Sequence, residues 1–99
     1  MLNITKTAEN GTLVVALEGR LDTTTAPDLE NALKESLDGV TELILDFEKL
    51  EYISSAGLRV LLCAQKTMNG QGSMKVLHVG DIIKEIFEVT GVSDILTVE

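Results

Sequence analysis

The sequence has one cysteine, one proline, three aromatic residues and half as many basic as acidic side chains. Cys63 stands alone, so no internal disulfide can staple the fold. With Phe47, Tyr52 and Phe87 as the only aromatics, there is no platform on which successive bases could stack. Eight basic residues against sixteen acidic ones give a formal charge of −8. Such a chain repels a phosphate backbone at long range, which argues against nucleic acid as a partner. No apolar run approaches the roughly 18 residues that a membrane span needs, and no charged-then-apolar leader opens the chain. These absences predict a soluble cytoplasmic protein.

What is present is aliphatic. Apolar residues make up 44% of the 99 positions, enough for one packed domain over residues 1–99 that removes roughly two-thirds of its unfolded surface from water. Leu2 to Thr7 and Thr12 to Gly19 read as strands joined by Glu9-Asn10-Gly11, whose Asn-Gly pair is a hairpin signal. Thr25-Ala26-Pro27-Asp28 opens a helix with Thr25 as its cap, Pro27 in the first turn and Asp28 at the positive end. Leu29, Ala32, Leu33 and Leu37 recur on one face, and Asp38-Gly39 ends the helix. Glu42 to Phe47 is a near-continuously apolar strand, as a central one would be.

After a connection over Glu48 to Ser54 comes a second helix, stopping near Asn69-Gly70 at a left-handed cap signal. Met74 to Val79 reads as a strand, Ile82 to Phe87 as a short helix closed by Gly91, and Ile95 to Val98 as a last strand. The predicted order is β-β-α-β-α-β-α-β. It is an α/β fold with a mixed, mostly parallel sheet and an antiparallel first strand. Parallel second, third and fourth strands end on one edge, where binding sites of open α/β sheets gather. That edge would collect Arg20 to Thr24, Glu48 to Ser54, and Gly80-Asp81.

The most informative segment on this edge is Tyr52-Ile53-Ser54-Ser55-Ala56-Gly57-Leu58-Arg59. A helix mouth offers unpaired N–H groups and a partial positive charge, and so favours an anion. Taking Ser55 as the cap puts Gly57 and Leu58 at helix positions two and three. There the missing Cβ of Gly57 would let a phosphate or a partner's backbone approach closely. Arg59 follows Ser55 by four residues and could lean toward a phosphate. A serine here can equally be no more than a cap. The residues by themselves leave both readings open.

In combination, Gly19-Arg20-Leu21-Asp22, Leu45-Asp46-Phe47 and Tyr52-Ile53-Ser54-Ser55-Ala56-Gly57-Leu58 resemble the STAS domain of bacterial anti-sigma factor antagonists. The resemblance spans the whole chain. It implies a partner-switching protein that binds an anti-sigma factor when unmodified. That anti-sigma factor, itself a serine kinase, would phosphorylate the antagonist, and a PP2C-type phosphatase would reverse the modification. It implies Ser55 as acceptor and places Asp22 and Thr23 on the partner-facing loop, with Ser54, Ser55, Gly57, Leu58 and Arg59 on the same surface. One residue departs from the family's common pattern. Ser54 stands where an aspartate is frequent, which makes it a competing acceptor.

Other readings draw less support. A non-phosphorylated STAS-type adaptor of a transport or secretion-control assembly would use Ser55 only as a cap. A serine hydrolase would need a base beside the nucleophile, and His78, the only histidine, falls in a strand. No Gly-Lys phosphate cradle is present, so no cofactor is expected. With no second histidine or nearby cysteine, no metal site is expected either. Cys63 reads as a core residue, and Asp46, ending an apolar strand, as a hydrogen-bonding group near the edge.

Overall fold

The computed structural model describes residues 2–99. Strands β1 (Leu2–Glu9) and β2 (Thr12–Leu21) lead into helix α1 (Ala26–Ser36) and strand β3 (Glu42–Ile53). Helix α2 (Ser55–Asn69), strand β4 (Ser73–Leu77), helix α3 (Asp81–Thr90) and a 3-10 turn over Val92–Asp94 follow. The sheet runs β1-β2-β3-β4, with β1 antiparallel to β2 and the other two pairings parallel. The predicted α/β architecture and the antiparallel first strand are both there.

Local chemistry explains most of the boundaries. Asn10 and Gly11 both take positive φ, 51° and 84°, the conformation a two-residue hairpin turn requires. Gly91 ends α3 in the left-handed region at φ 78°. Gly70 does not follow the same rule. It stays right-handed at φ −86°, and α2 closes through Gly70 N–H and Gly72 N–H bonds to the Thr67 and Met68 carbonyls. Thr25 flanks α1 but makes no side-chain cap. Its buried hydroxyl is instead committed to the preceding loop, donating to the Arg20 carbonyl at 2.8 Å.

Two other boundaries differ from the sequence expectation. β3 continues six residues past Phe47, because β2 runs on to Leu21 and keeps pairing with it from Glu18↔Lys49 to Leu21↔Ile53 after a register shift. The stretch expected as a connection is therefore strand. The last strand, expected over Ile95 to Val98, is reduced to a single parallel bridge between Val76 and Val98. The 3-10 turn uses up Val92–Asp94, so only the final residues reach β4.

Alternation along the strands sets the layers. Leu13, Val15 and Leu17 of β2, Leu43, Leu45 and Phe47 of β3, and Met74 and Val76 of β4 are buried on the helix-covered face. Against them pack Leu29 and Leu33 of α1, Leu61 and Met68 of α2, and Ile83 and Phe87 of α3. Phe87 meets Phe47 with ring centroids 6.4 Å apart. Val14, Ala16, Ile44 and Asp46 point the other way and are only half-buried. All helices thus sit on one side, and the carboxyl ends of β2 and β3 project past β4 toward the mouth of α2.

Candidate functional site

The two adjacent serines divide their roles. Ser54, not Ser55, is the cap of α2: its backbone is extended (φ −99°, ψ 175°) and its Oγ accepts from Gly57 N–H at 3.4 Å. Its carbonyl accepts from Leu58 N–H at 2.9 Å, and its own N–H donates to the Leu21 carbonyl at 2.9 Å. That last bond ties the mouth of α2 to the end of β2. Ser55 becomes the first residue of the helix, exposed, and its hydroxyl makes no hydrogen bond among the described residues. Replacing Ser54 by alanine is expected to cost about 1 kcal/mol, whereas Ser55→Ala should stay within about 0.5 kcal/mol of wild type. Urea unfolding of the two variants checks this contrast.

The shift of the cap by one residue corrects the reading of Gly57 and Leu58. Both are buried, and neither offers a surface to a phosphate or partner. A Cβ on Gly57 would lie 2.7 Å from Leu21 Cγ and 2.9 Å from Ile53 Cγ1. The glycine is therefore there to let α2 sit down on the ends of β2 and β3. Gly57→Ala gains roughly 1 kcal/mol of helix propensity but forces overpacking worth about 1–3 kcal/mol. A net destabilisation of about 1 kcal/mol is expected. A variant more stable than wild type would refute the tight contact.

Asp22 is equally built in. Its Oδ1 accepts from Thr24 N–H (3.0 Å), Thr24 Oγ1 (2.8 Å) and Thr25 N–H (3.1 Å), with Thr25 Oγ1, whose proton goes to the Arg20 carbonyl, 3.2 Å away. The Thr24 hydroxyl bond above all, with the others, holds the carboxyl below its usual range despite some desolvation. Asp22 thus shapes the β2–α1 loop. Thr23 at its tip is exposed and, with Ala56 and Arg59, borders a shallow depression of about 210 Å³ between the starts of α1 and α2. The loop and the helix mouth form one continuous surface. On it Ser55, Thr23 and Arg59 are the exposed members of the predicted set.

His78 lies outside the strand expected for it. It follows β4 at φ 57°, exposed, with Nδ1 2.9 Å from Asp46 Oδ1. The hydrogen bond to Asp46 raises the His78 pKa above its ordinary 6.5. Burial pushes Asp46 up, but the bonds from His78 and from Glu48 N–H outweigh it and lower the carboxyl below 3.8. The two signs define a window. The Asp46 contribution is present above pH 3.8 and lost on acidification, and that of His78 is present below pH 6.5 and lost as pH rises through its raised native value. The gap in melting temperature between wild type and His78→Asn should therefore be widest between these limits and shrink toward pH 9. A gap constant with pH would show that the ion pair adds nothing. Glu48 completes a trio whose ligand atoms lie within 4.8 Å of one another. The Asp46–His78 bond already accounts for that arrangement. Cys63, expected in the core, is exposed on the groove between α1 and α2.

One feature of this edge is missed by sequence reasoning. The Arg20 guanidinium lies over the Tyr52 ring, 4.5 Å from its centroid. The two residues are register partners across β2 and β3, a relation visible only once the extension of β3 is known.

Over residues 3–99 the chain matches the model of the STAS domain. It belongs to the STAS domain family. At 32% identity over 99 residues it is similar to the anti-sigma-B factor antagonist of Staphylococcus aureus, covering 98% of this chain and 92% of that protein. BtrV of Bordetella bronchiseptica, named provisionally as an anti-sigma factor antagonist, is 34% identical over 99 residues, covering 98% and 85%. Among solved structures, the phosphorylated form of the Bacillus cell fate determinant SpoIIAA superposes with a TM-score of 0.76. The match covers 98% of this chain and 91% of that one at 19% identity, a likeness of fold. Within this STAS domain no described helix is long and apolar enough to cross a membrane.

Proposed function

We propose that this STAS domain is an anti-sigma factor antagonist that docks its anti-sigma factor on the carboxyl edge and is released when Ser55 is phosphorylated. The observation that carries the proposal is the division of labour at the α2 mouth. Ser54 holds the helix, so the Ser55 hydroxyl is free for modification. The names of the curated relatives support the antagonist role. SpoIIAA, solved phosphorylated, supports the idea that this fold carries a phosphate.

The chemistry follows from position. A phosphate on Ser55 adds about −1.5 to −2 charge at the first residue of a helix, where free N–H groups and the helix dipole accept an anion. The fold tolerates it. A docked partner would have to desolvate the same charge, and binding is lost. In this reading the chain is a binding protein and not an enzyme. The kinase is the anti-sigma factor itself, a PP2C-type phosphatase reverses the step, and the exchange takes place in the cytoplasm. Thr23 and Arg59 lie within the footprint, and Asp22 acts by fixing the loop that presents Thr23.

The test is incubation with the candidate kinase and ATP, followed by mass spectrometry to place the phosphate, and pull-downs with Ser55→Ala and Ser55→Asp. Modification of Ser55 and capture of the anti-sigma factor by Ser55→Ala alone are expected. A phosphate on Ser54, or none, would overturn the assignment, and absence of modification with intact partner binding would favour the constitutive adaptor.

A further inference from the structure

The chain has only two arginines, Arg20 and Arg59, and both stand on the carboxyl edge. Their surroundings differ. Arg59 is exposed on the second turn of α2 and makes no ion pair or aromatic contact among the described residues. Arg20 is 54% exposed, and its guanidinium carbon lies over the Tyr52 ring, 4.5 Å from the centroid. Its Nε reaches Asp22 Oδ2 only at 4.0 Å, and the other oxygen of Asp22 is occupied by Thr24 and Thr25. Stacking on a ring uses the face of a guanidinium and leaves its in-plane N–H donors free. The terminal Nη groups have no acceptor among the described residues.

We propose that Arg20, seated on Tyr52, is a receptor for a carboxylate of the bound partner, an aspartate or glutamate reaching the carboxyl edge on the sheet face opposite α2, since the adjoining Leu21 and Ile53 pack under Gly57 of that helix. Ser54 N–H bonded to the Leu21 carbonyl joins the strand end that carries Arg20 to the helix mouth that carries Ser55. The rigid guanidinium fork matches a carboxylate bidentately, and the ring contact lowers the side-chain freedom that binding would otherwise freeze. A carboxylate fits better than a dianionic phosphate because Asp22 and Glu51 flank the pair in sequence and the whole chain carries −8. Arginine and tyrosine are also the residue types in which interface energy concentrates.

The identity of the partner rests on the function proposed above, but the carboxylate preference of Arg20 does not. N-acetylglutamate amide is titrated into the ¹⁵N-labelled chain while the two arginine Nε–Hε resonances are followed. N-acetylglutamine amide and inorganic phosphate serve as comparison ligands. Arg20 is expected to saturate at roughly five-fold lower acetylglutamate than Arg59. Tyr52→Phe should keep this preference and Tyr52→Leu should erase it, with backbone spectra reporting that both stay folded. Equal response of the two arginines, an unchanged preference in Tyr52→Leu, or tighter binding of phosphate would each overturn the proposal. In the complex, Arg20→Lys, which keeps the charge but loses the fork, should weaken the anti-sigma factor roughly ten-fold in a Ser55→Ala background. If Ser55→Asp binds that factor as well as Ser55→Ala does, the functional reading fails while the Arg20 preference stands. If Arg20 shows no preference, only this inference falls.

Discussion

Ser55→Asp is expected to bind the anti-sigma factor about 100-fold more weakly than Ser55→Ala while melting at the same temperature or a few degrees higher. The binding loss follows from burial of a charge with no matched cation, for which interfaces typically forfeit about 2–5 kcal/mol. The thermal effect has the opposite sign. A carboxylate at the first helical residue meets the positive end of α2, worth about 0.3–1 kcal/mol, and removes no cap because Ser54 supplies it. Calorimetric titration and thermal melts read the two quantities separately. A large drop in melting temperature would mean that Ser55 holds the helix after all. Undiminished affinity would mean that the carboxyl edge is not where the partner docks.

Gly72→Ala should be the most damaging single methyl group in the chain, lowering stability by about 3 kcal/mol or more. A Cβ there would fall 1.8 Å from the Thr41 carbonyl oxygen, 2.6 Å from its carbon and 2.9 Å from its Cα. All three are backbone atoms, so no side chain can swing aside. The same carbonyl accepts from Ser73 N–H at 3.0 Å, next to the Glu42↔Ser73 pair that opens the β3–β4 ladder. Relieving the clash therefore displaces the start of β4. For a chain of this size the expected fall in melting temperature is on the order of 15 °C. Gly80→Ala is the control: its Cβ would meet nothing within 4 Å and its φ is −70°, so the loss should not exceed about 1 kcal/mol, the margin by which an N-cap disfavours alanine. Equal melting of the two variants would show that the backbone contact at Gly72 is not tight.

How far the sequence could be read depended on whether the deciding interaction was local. The Asn10-Gly11 turn, the apolar Leu43 to Leu45 run and the Gly91 cap are local signals, and each sits where it was expected. The second half of β3 was hidden because Glu48, Lys49 and Glu51 interrupt its pattern, and only the length of β2 keeps it paired. The cap was misplaced by one residue because two consecutive serines satisfy the same preference, and the choice is made by Ser54 N–H reaching Leu21. Gly57 looked like an opening toward a ligand, since nothing in a sequence states that Leu21 and Ile53 lie against it. Cys63 reads as core from its apolar neighbours and His78 as part of a strand, yet both are exposed, His78 just beyond the end of β4. The edge itself was legible from strand order alone.

The separation of the helix cap at Ser54 from the modification proposed at Ser55 has a consequence for how such a protein can change over generations. Because the fold rests on Ser54, the residue at 55 is free to mutate at almost no cost in stability. Under the function proposed above, a single codon change there would turn a regulated antagonist into a constitutive binder, or back again, without passing through an unfolded intermediate. In that reading regulation and foldability are inherited independently, and a duplicated copy of this chain could lose or regain its responsiveness in one step.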